Sequence, residues 1–265
     1  MHLKPIRLHL DARHVVRAAR FEWQLAWSRS RRRLAFLLYA LPVCLAIGVV
    51  ALHATGIVTT LGSDALTGLV GAVYLQILLV IVPLVFGTGL VAQEAEARTL
   101  VYLLVRPLSR GSLLVGKFLG AWIAATLMLC ASVLCAAVLL LAIDGFADAG
   151  PWVERLVRVF GVVALGTLAY GALFTFVGLV FARPALVGLA VAFGWETAIP
   201  FLPGSLRLLT VRHHLVAFLP TDLLPAALRV ALAPPTPLMA LTWLVVSSAL
   251  LMAAAVVAFS KRDFV

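Results

Sequence analysis

The feature that most constrains this chain is the stretch 118–143, which contains no charged side chain. About 20 apolar residues are enough for a helix to cross the hydrocarbon core of a bilayer. The whole chain has 63% hydrophobic and 12% charged residues, with a mean hydropathy of +1.10, whereas about a quarter of the residues in a soluble domain are charged. We therefore predict an all-α polytopic membrane protein with no room for a soluble catalytic domain.

Six apolar stretches are long enough to be candidate spans, and the shortest of them is the fifth, which carries Glu196. They cover residues 34–52, 65–92, 113–143, 159–182, 185–201 and 238–259. Residues 1–33 are then a cytoplasmic leader, and residues 34–265 form the transmembrane domain. Pro42, Pro83 and Pro200 fall inside predicted spans, where each removes a backbone donor and bends its helix. Cys44, Cys130 and Cys135 also lie in apolar runs, where they pack as small hydrophobic residues.

The basic residues are distributed unevenly between the two predicted sides of the membrane. With the N-terminus inside, 16 of the 21 Lys and Arg residues lie on the cytoplasmic side, as expected from the preference of these residues for cytoplasmic loops. Both termini are then cytoplasmic. We interpret the net charge of +10 as a signal of topology and of contact with lipid headgroups, and not as a nucleic-acid surface.

The basic leader contains aromatic side chains between its arginines. In residues 13–33, Val16, Phe21, Trp23 and Trp27 alternate with basic side chains, as in an amphipathic helix that lies in the membrane interface. The apolar region of a signal peptide is shorter and nearer the start. A solvated basic leader is the alternative.

The stretch GSLLVGKF, residues 111–118, comes close to a phosphate-binding loop. Gly111, Gly116 and Lys117 have the required spacing, but Phe118 stands where a hydroxyl should bind magnesium. The stretch follows a polar turn and not a buried strand. We therefore interpret Lys117 as a membrane-edge residue that extends its ammonium toward water.

The loop between the second and third predicted spans resembles that of the membrane subunits of type 2 ABC exporters. The residues that match this family's loop are Glu94, Glu96, Thr99, Leu100, Leu103, Leu104, Pro107, Ser109, Arg110, Gly116 and Lys117. The basic leader, the WE pair in the fifth span and the KRDF ending also match. Arg98 departs from the pattern, because the family often has glycine there.

The resemblance implies a six-span permease with an N-terminal elbow helix and a cytoplasmic coupling helix. Within a coupling loop at 93–112, Glu94, Glu96, Arg98 and Thr99 would dock into a separate ABC ATPase subunit, which carries the ATP and the magnesium. This chain would then be no enzyme and would hold no cofactor. It would pair with a second permease, as a homodimer or heterodimer, in the bacterial inner membrane and move a substrate outward.

The chemistry of the coupling loop suits that role, although an ordinary solvated loop is the alternative. Acidic residues in the first turn of a helix are favoured by its dipole. Glu94 and Arg98 are four residues apart and can pair across one turn. Pro107 ends the helix and returns the chain to the membrane.

Glu196 is a pathway candidate because it is the only acidic residue inside a predicted span, where a charge is costly. The alternative is that it pairs with Arg207 or with backbone groups at the outer rim, and the sequence favours neither. His213 and His214 diverge by about 100° on a helix and make a poor metal chelate. We predict no metal site.

Two further stretches carry weaker signals. Residues 116–120, GKFLG, form a G-x-x-x-G pattern that permits close helix contact. The external segment 203–236 contains Thr221 and Asp222, either of which can cap a short helix on the membrane. An ion-coupled carrier that uses Glu196 as its proton site is an alternative function. A non-transporting mechanical or assembly subunit for a periplasmic partner is another.

Overall fold

A computed structural model describes residues 12–26, 29–96, 110–147, 149–198, 205–219 and 235–261, and all regular structure in these ranges is helical. The α-helices are α1 Ala12–Ala26, α2 Arg29–Ala54, α3 Gly62–Leu69, α4 Leu79–Glu96, α5 Arg110–Leu141, α6 Ala149–Val180, α7 Pro184–Leu189, α8 Glu196–Ala198, α9 Val211–Leu215 and α10 Pro237–Lys261. Two π-helical segments, Val70–Leu78 and Ala190–Trp195, join α3 to α4 and α7 to α8.

Five helices in the described ranges are long and apolar enough to cross a membrane. They are Phe36–Ala54, Gly62–Leu90, Gly111–Asp144, Ala149–Val180 and Pro237–Lys261. The protein is therefore a multi-pass helical membrane protein. The fifth predicted span begins as a shorter apolar helix, Pro184–Trp195, and its predicted end at 199–201 lies outside the described residues. A total of six spans remains a prediction.

The helix α6 lies at the centre of the bundle, where α4, α5 and α10 all pack against it. Small residues bring α4 and α6 close together. A Cβ atom placed on Gly87 would lie 3.0 Å from the Cβ of Phe174, and one on Gly178 would lie 3.0 Å from the Cα of Thr88. Helices that pack in lipid commonly approach through such small residues.

Polar side chains inside the bundle bond to one another and to backbone carbonyls. Tyr74 Oη lies 2.8 Å from Ser132 Oγ, which donates to the carbonyl of Tyr39 at 2.7 Å. Pro42 has no N–H to donate to the carbonyl of Leu38, one residue before Tyr39. Ser132 therefore adds a hydrogen bond to α2 next to the point where the helix has lost one.

The helices α5 and α6 are joined by two polar contacts near the middle of α5. Trp122 Nε1 donates to the carbonyl of Ala164 at 2.9 Å. The hydroxyls of Thr126 and Thr167 lie 2.7 Å apart. These contacts fix the rotation of α5 against α6, because each needs a particular face of both helices.

Candidate functional site

The proposed coupling residues lie in the last part of α4 that the structure describes, or beyond it. Glu94 and Glu96 belong to α4, which continues from the second span without a break as far as Glu96. Arg98 and Thr99 lie outside the described residues, as does most of the coupling loop at 93–112. The docking role of these four residues stays a prediction.

The structure corrects one expectation about this segment. Glu94 was expected to begin a helix of its own, but it belongs to α4, which the structure describes as far as Glu96. The reason is local: residues 92–96, AQEAE, contain neither glycine nor proline and favour helix. Glu94 therefore does not lie in the first turn of its helix.

The near match to a phosphate-binding loop is helical in the structure. Gly111, Gly116 and Lys117 all belong to α5, which begins at Arg110. A phosphate-binding loop instead needs a loop between a strand and a helix, with its backbone N–H groups open to the ligand. The backbone of α5 directs its N–H groups along the helix, so the geometry at these residues is not that of a phosphate-binding loop.

Lys117 is buried, and the expectation that its ammonium extends to water was wrong. Its side chain is 2% exposed. Nζ donates a hydrogen bond to the carbonyl of Leu90 at 3.2 Å and lies 3.7 Å from Oε2 of Glu22, whose side chain is 1% exposed. The physical reason is that α1 covers this part of α5 and brings a carboxylate with it.

The leader forms the expected helix over part of its length. The helix α1 spans Ala12–Ala26, whereas Arg29 to Arg33 belong to α2. Val16 and Phe21 are 60% and 45% exposed, so α1 leaves apolar side chains uncovered beside the face that packs on α5. Its position in the membrane interface remains a prediction.

Glu196 is buried and accepts three hydrogen bonds. Oε1 accepts from the backbone N–H of Val211 at 2.9 Å, and Oε2 accepts from the N–H of Arg212 at 3.2 Å and from the Tyr170 hydroxyl at 2.9 Å. The carboxylate is 1% exposed. It thus binds the first N–H groups of α9 and ties this short helix to α6.

Both sides of this contact lie far from the helix ends at Pro184 and Val180. Glu196 follows Pro184 by twelve residues, or about 18 Å at 1.5 Å per residue, and Tyr170 precedes the end of α6 at Val180 by about 15 Å. The hydrocarbon core is about 30 Å thick. With the predicted orientation, we expect α9 to lie at about half the depth of the core, so that the predicted external segment at 203–236 is in part re-entrant.

The segment around α9 is held by further contacts. Thr210 caps α9, because its hydroxyl accepts from the N–H of His213 at 3.4 Å. The ring of His214 stacks on Trp243 of α10, with 4.0 Å between ring centroids, and its Nε2 lies 2.9 Å from the carbonyl of Leu208. The His214 ring therefore fixes α9 to α10.

Thus the structure brings Glu196 together with Tyr170 and the start of α9. Sequence reasoning missed Tyr170 and the pairing of Glu22 with Lys117. The G-x-x-x-G pattern at 116–120 could have indicated a helix packed on this part of α5. Nothing in the sequence identified that helix as α1.

These features define a class of protein: a polytopic helical membrane protein with a basic helix, α1, before its first span. A family model described as ABC-2 family transporter protein matches residues 28–263. The chain belongs to this family, and it is therefore a membrane permease component of an ABC transporter. Family membership implies partnership with an ABC ATPase subunit. No curated protein matches the chain at a significant level of similarity.

Proposed function

We propose that this permease is part of an exporter driven by ATP, and that it pairs with a second copy or a paralogue in the bacterial inner membrane. A separate ATPase subunit docks on residues 94–99, and it carries the nucleotide and the magnesium. The permease contributes no catalytic residue and holds no cofactor. It converts movement of the docked subunit into movement of its spans.

The observation that carries this proposal is the continuity of α4. This helix is described without a break from Leu79 to Glu96, with Pro83 inside it, so a displacement at Glu94 and Glu96 is carried along one helix into the second span. The two acidic residues give this segment a negative charge that would attract a positively charged partner surface. A basic cleft in the ATPase would satisfy both charges.

The orientation that this model needs follows from the basic residues. Sixteen of the 21 Lys and Arg residues lie on the side that also holds the coupling loop, and Lys and Arg favour the cytoplasm. A reporter enzyme fused after Val265 is expected to be active in the cytoplasm. One inserted near Ala149 is expected to be active outside.

The ion-coupled carrier is the weaker alternative. Its proton site would be Glu196, but this carboxylate accepts from Tyr170, Val211 and Arg212. These three donors occupy the oxygens that a transported ion would need. The non-transporting mechanical subunit uses the same coupling contact as the exporter, and only a transported substrate separates the two.

Crosslinking tests the docking contact directly. In a chain whose native cysteines are replaced by alanine, Ala95→Cys or Ala97→Cys is expected to crosslink to a cysteine in the cleft of the ATPase. The yield should change with nucleotide, because the cleft moves when ATP binds. Ala149→Cys, on the opposite side, is the matched control and should not crosslink. Absence of crosslinks from both inner positions in an assembled complex would contradict the docking model.

Charge variants test the same contact by affinity. Glu94→Ala and Arg98→Glu are expected to weaken copurification of the ATPase, because losing one member of a desolvated charged contact costs about 2 to 5 kcal/mol. The permease purified alone should show no ATPase activity. If both variants bind the ATPase normally and still move with nucleotide, residues 94–99 form a solvated turn and do not dock the ATPase.

A further inference from the structure

The helices α1 and α5 pack more closely than ordinary side chains allow. A Cβ atom placed on Gly116 would lie 2.5 Å from the carbonyl oxygen of Val15 and 2.6 Å from the Cβ of Ala18. One placed on Gly120 would clash with the carbonyl oxygen of Ala19. The backbone of α1 therefore rests directly on the two glycines of the G-x-x-x-G pattern.

Lys117 lies between these two glycines and contacts two other helices. Its ammonium donates to the carbonyl of Leu90 in α4 and pairs with Glu22 in α1. One side chain of α5 thus joins the helix that precedes the coupling loop to the leader helix. All three groups are inside the protein, where water screens their interaction little.

This contact lies at the base of the coupling loop. Leu90 precedes Glu94 by one turn of α4, or about 6 Å, and Lys117 follows Arg110, the start of α5, by about 10 Å. The loop therefore connects two helices, α4 and α5, that are joined by the hydrogen bond from the ammonium of Lys117 to the carbonyl of Leu90. Leu90 and Lys117 lie in the second and third spans, so movement at either end of the loop meets this contact where it enters those spans.

We propose that Glu22, Lys117 and the Leu90 carbonyl form a joint through which displacement of the coupling segment is transmitted to α1. Lys117 is a positioning residue in this joint: it keeps the end of α4, the start of α5 and α1 moving as one body. The inference rests on the proposed function, since it assumes that an ATPase subunit displaces residues 94–99. It adds α1 to the parts that move.

Distance measurements between spin labels test this rigidity. One label is placed on α1 at the exposed position Arg17, and one at Ala95, in a chain whose three cysteines are replaced by alanine. The complex with the ATPase subunit is studied in lipid nanodiscs, without nucleotide and with ADP and vanadate. The separation between 17 and 95 is expected to stay constant. The separation between Ala95 and a label at Val153, on the opposite side, is expected to change by about 2 Å or more.

Two variants separate transmission from folding. In Lys117→Met the distance between 17 and 95 should broaden and vary with nucleotide. In Glu22→Met/Lys117→Met an apolar pair replaces the buried charges, which often preserves stability. This double variant should melt near the parent temperature, yet its distance between 17 and 95 should still vary with nucleotide, because the hydrogen bond from Lys117 to the Leu90 carbonyl is lost. Glu154→Gln, in the exposed pair with Arg158, is the control and should behave like the parent.

The outcomes distinguish this inference from the function on which it rests. If no ATPase subunit binds, or Ala95 does not move relative to Val153, the proposed function fails and the joint fails with it. If Ala95 moves but α1 does not follow in the parent complex, only the joint is wrong. If the double variant melts normally and keeps a constant distance between 17 and 95, Lys117 contributes only to packing and does not transmit movement to α1.

Discussion

Two carboxylates in the described residues lie inside this bundle, and they are satisfied by different means. Glu22 in α1 pairs with the ammonium of Lys117. Glu196 in α8 accepts from two backbone N–H groups and the hydroxyl of Tyr170. The first contact joins three helices through one side chain, and the second holds one short segment through three donors. The contact at Glu22 therefore depends on the single side chain of Lys117, whereas the contact at Glu196 is divided among three hydrogen-bond donors.

The largest expected effect comes from breaking the pair of Glu22 and Lys117. Lys117→Met leaves the carboxylate of Glu22 buried without its ammonium, which costs about 3 to 5 kcal/mol of folding free energy. Thermal unfolding of the purified permease in detergent measures this loss. Glu22→Met/Lys117→Met should recover most of it, since both charges are then removed. Equal melting temperatures for the single and double variants would show that the charges do not interact.

The close packing of α1 on α5 gives the next effect. Gly116→Ala forces a methyl group against Val15 and Ala18, and overpacking of this kind costs about 1 to 3 kcal/mol. Gly161→Ala is the matched control in α6, because a Cβ there meets nothing within 4 Å and alanine gains up to about 1 kcal/mol in helix propensity. Opposite signs for the two variants are expected in the same unfolding assay. Equal signs would contradict the close contact.

The smallest effect is expected at the carboxylate of Glu196, where donors are shared. Tyr170→Phe removes one of three hydrogen bonds and should lower the free energy of unfolding by about 1 kcal/mol. Glu196→Gln turns an amide donor toward the N–H groups of α9 and should lower it by about 1 to 3 kcal/mol. Hydrogen exchange of residues 211–215 reports both changes locally. Exchange that is unchanged in Glu196→Gln would show that the carboxylate does not hold α9.

The same variant also addresses the pathway role of Glu196, which remains a prediction. If this residue lines a pathway, Glu196→Gln changes stimulation of ATP hydrolysis by candidate substrates while the complex still assembles. If only the exchange of 211–215 rises and stimulation is normal, the carboxylate is a cap for α9 and nothing more.

Long apolar stretches predicted most of this fold, because a bilayer demands helices of a fixed minimum length. The limits of α2 and α10 differ from those predicted by a few residues. The fourth span was predicted to start at residue 159, but α6 begins at Ala149, since a helix can continue into the polar region beyond the lipid. Nothing in the apolar pattern marks that extension.

Contacts between distant residues were harder to predict. The sequence predicted a membrane-edge position for Lys117, because its neighbours are apolar and a polar loop precedes them. The helix that covers Lys117 is α1, whose Glu22 lies about a hundred residues earlier in the chain. Glu196 was recognised as costly in lipid, and the two explanations for it could not be separated. Its partners, Val211 and Arg212, are backbone groups, and a sequence does not show which backbone groups a fold will bring near.

The order of residues in the joint at Lys117 has a consequence for biosynthesis. Glu22, Leu90 and Lys117 emerge from the ribosome in that order, and chains grow at about 5 to 20 residues per second. The carboxylate of Glu22 therefore waits for several seconds, while two spans are inserted, before its partner exists. During this interval α1 lacks the face of α5 on which it packs. A nascent chain that stops before the third span would present an unmatched acid at the cytoplasmic face, where quality-control proteases could distinguish it from a finished permease.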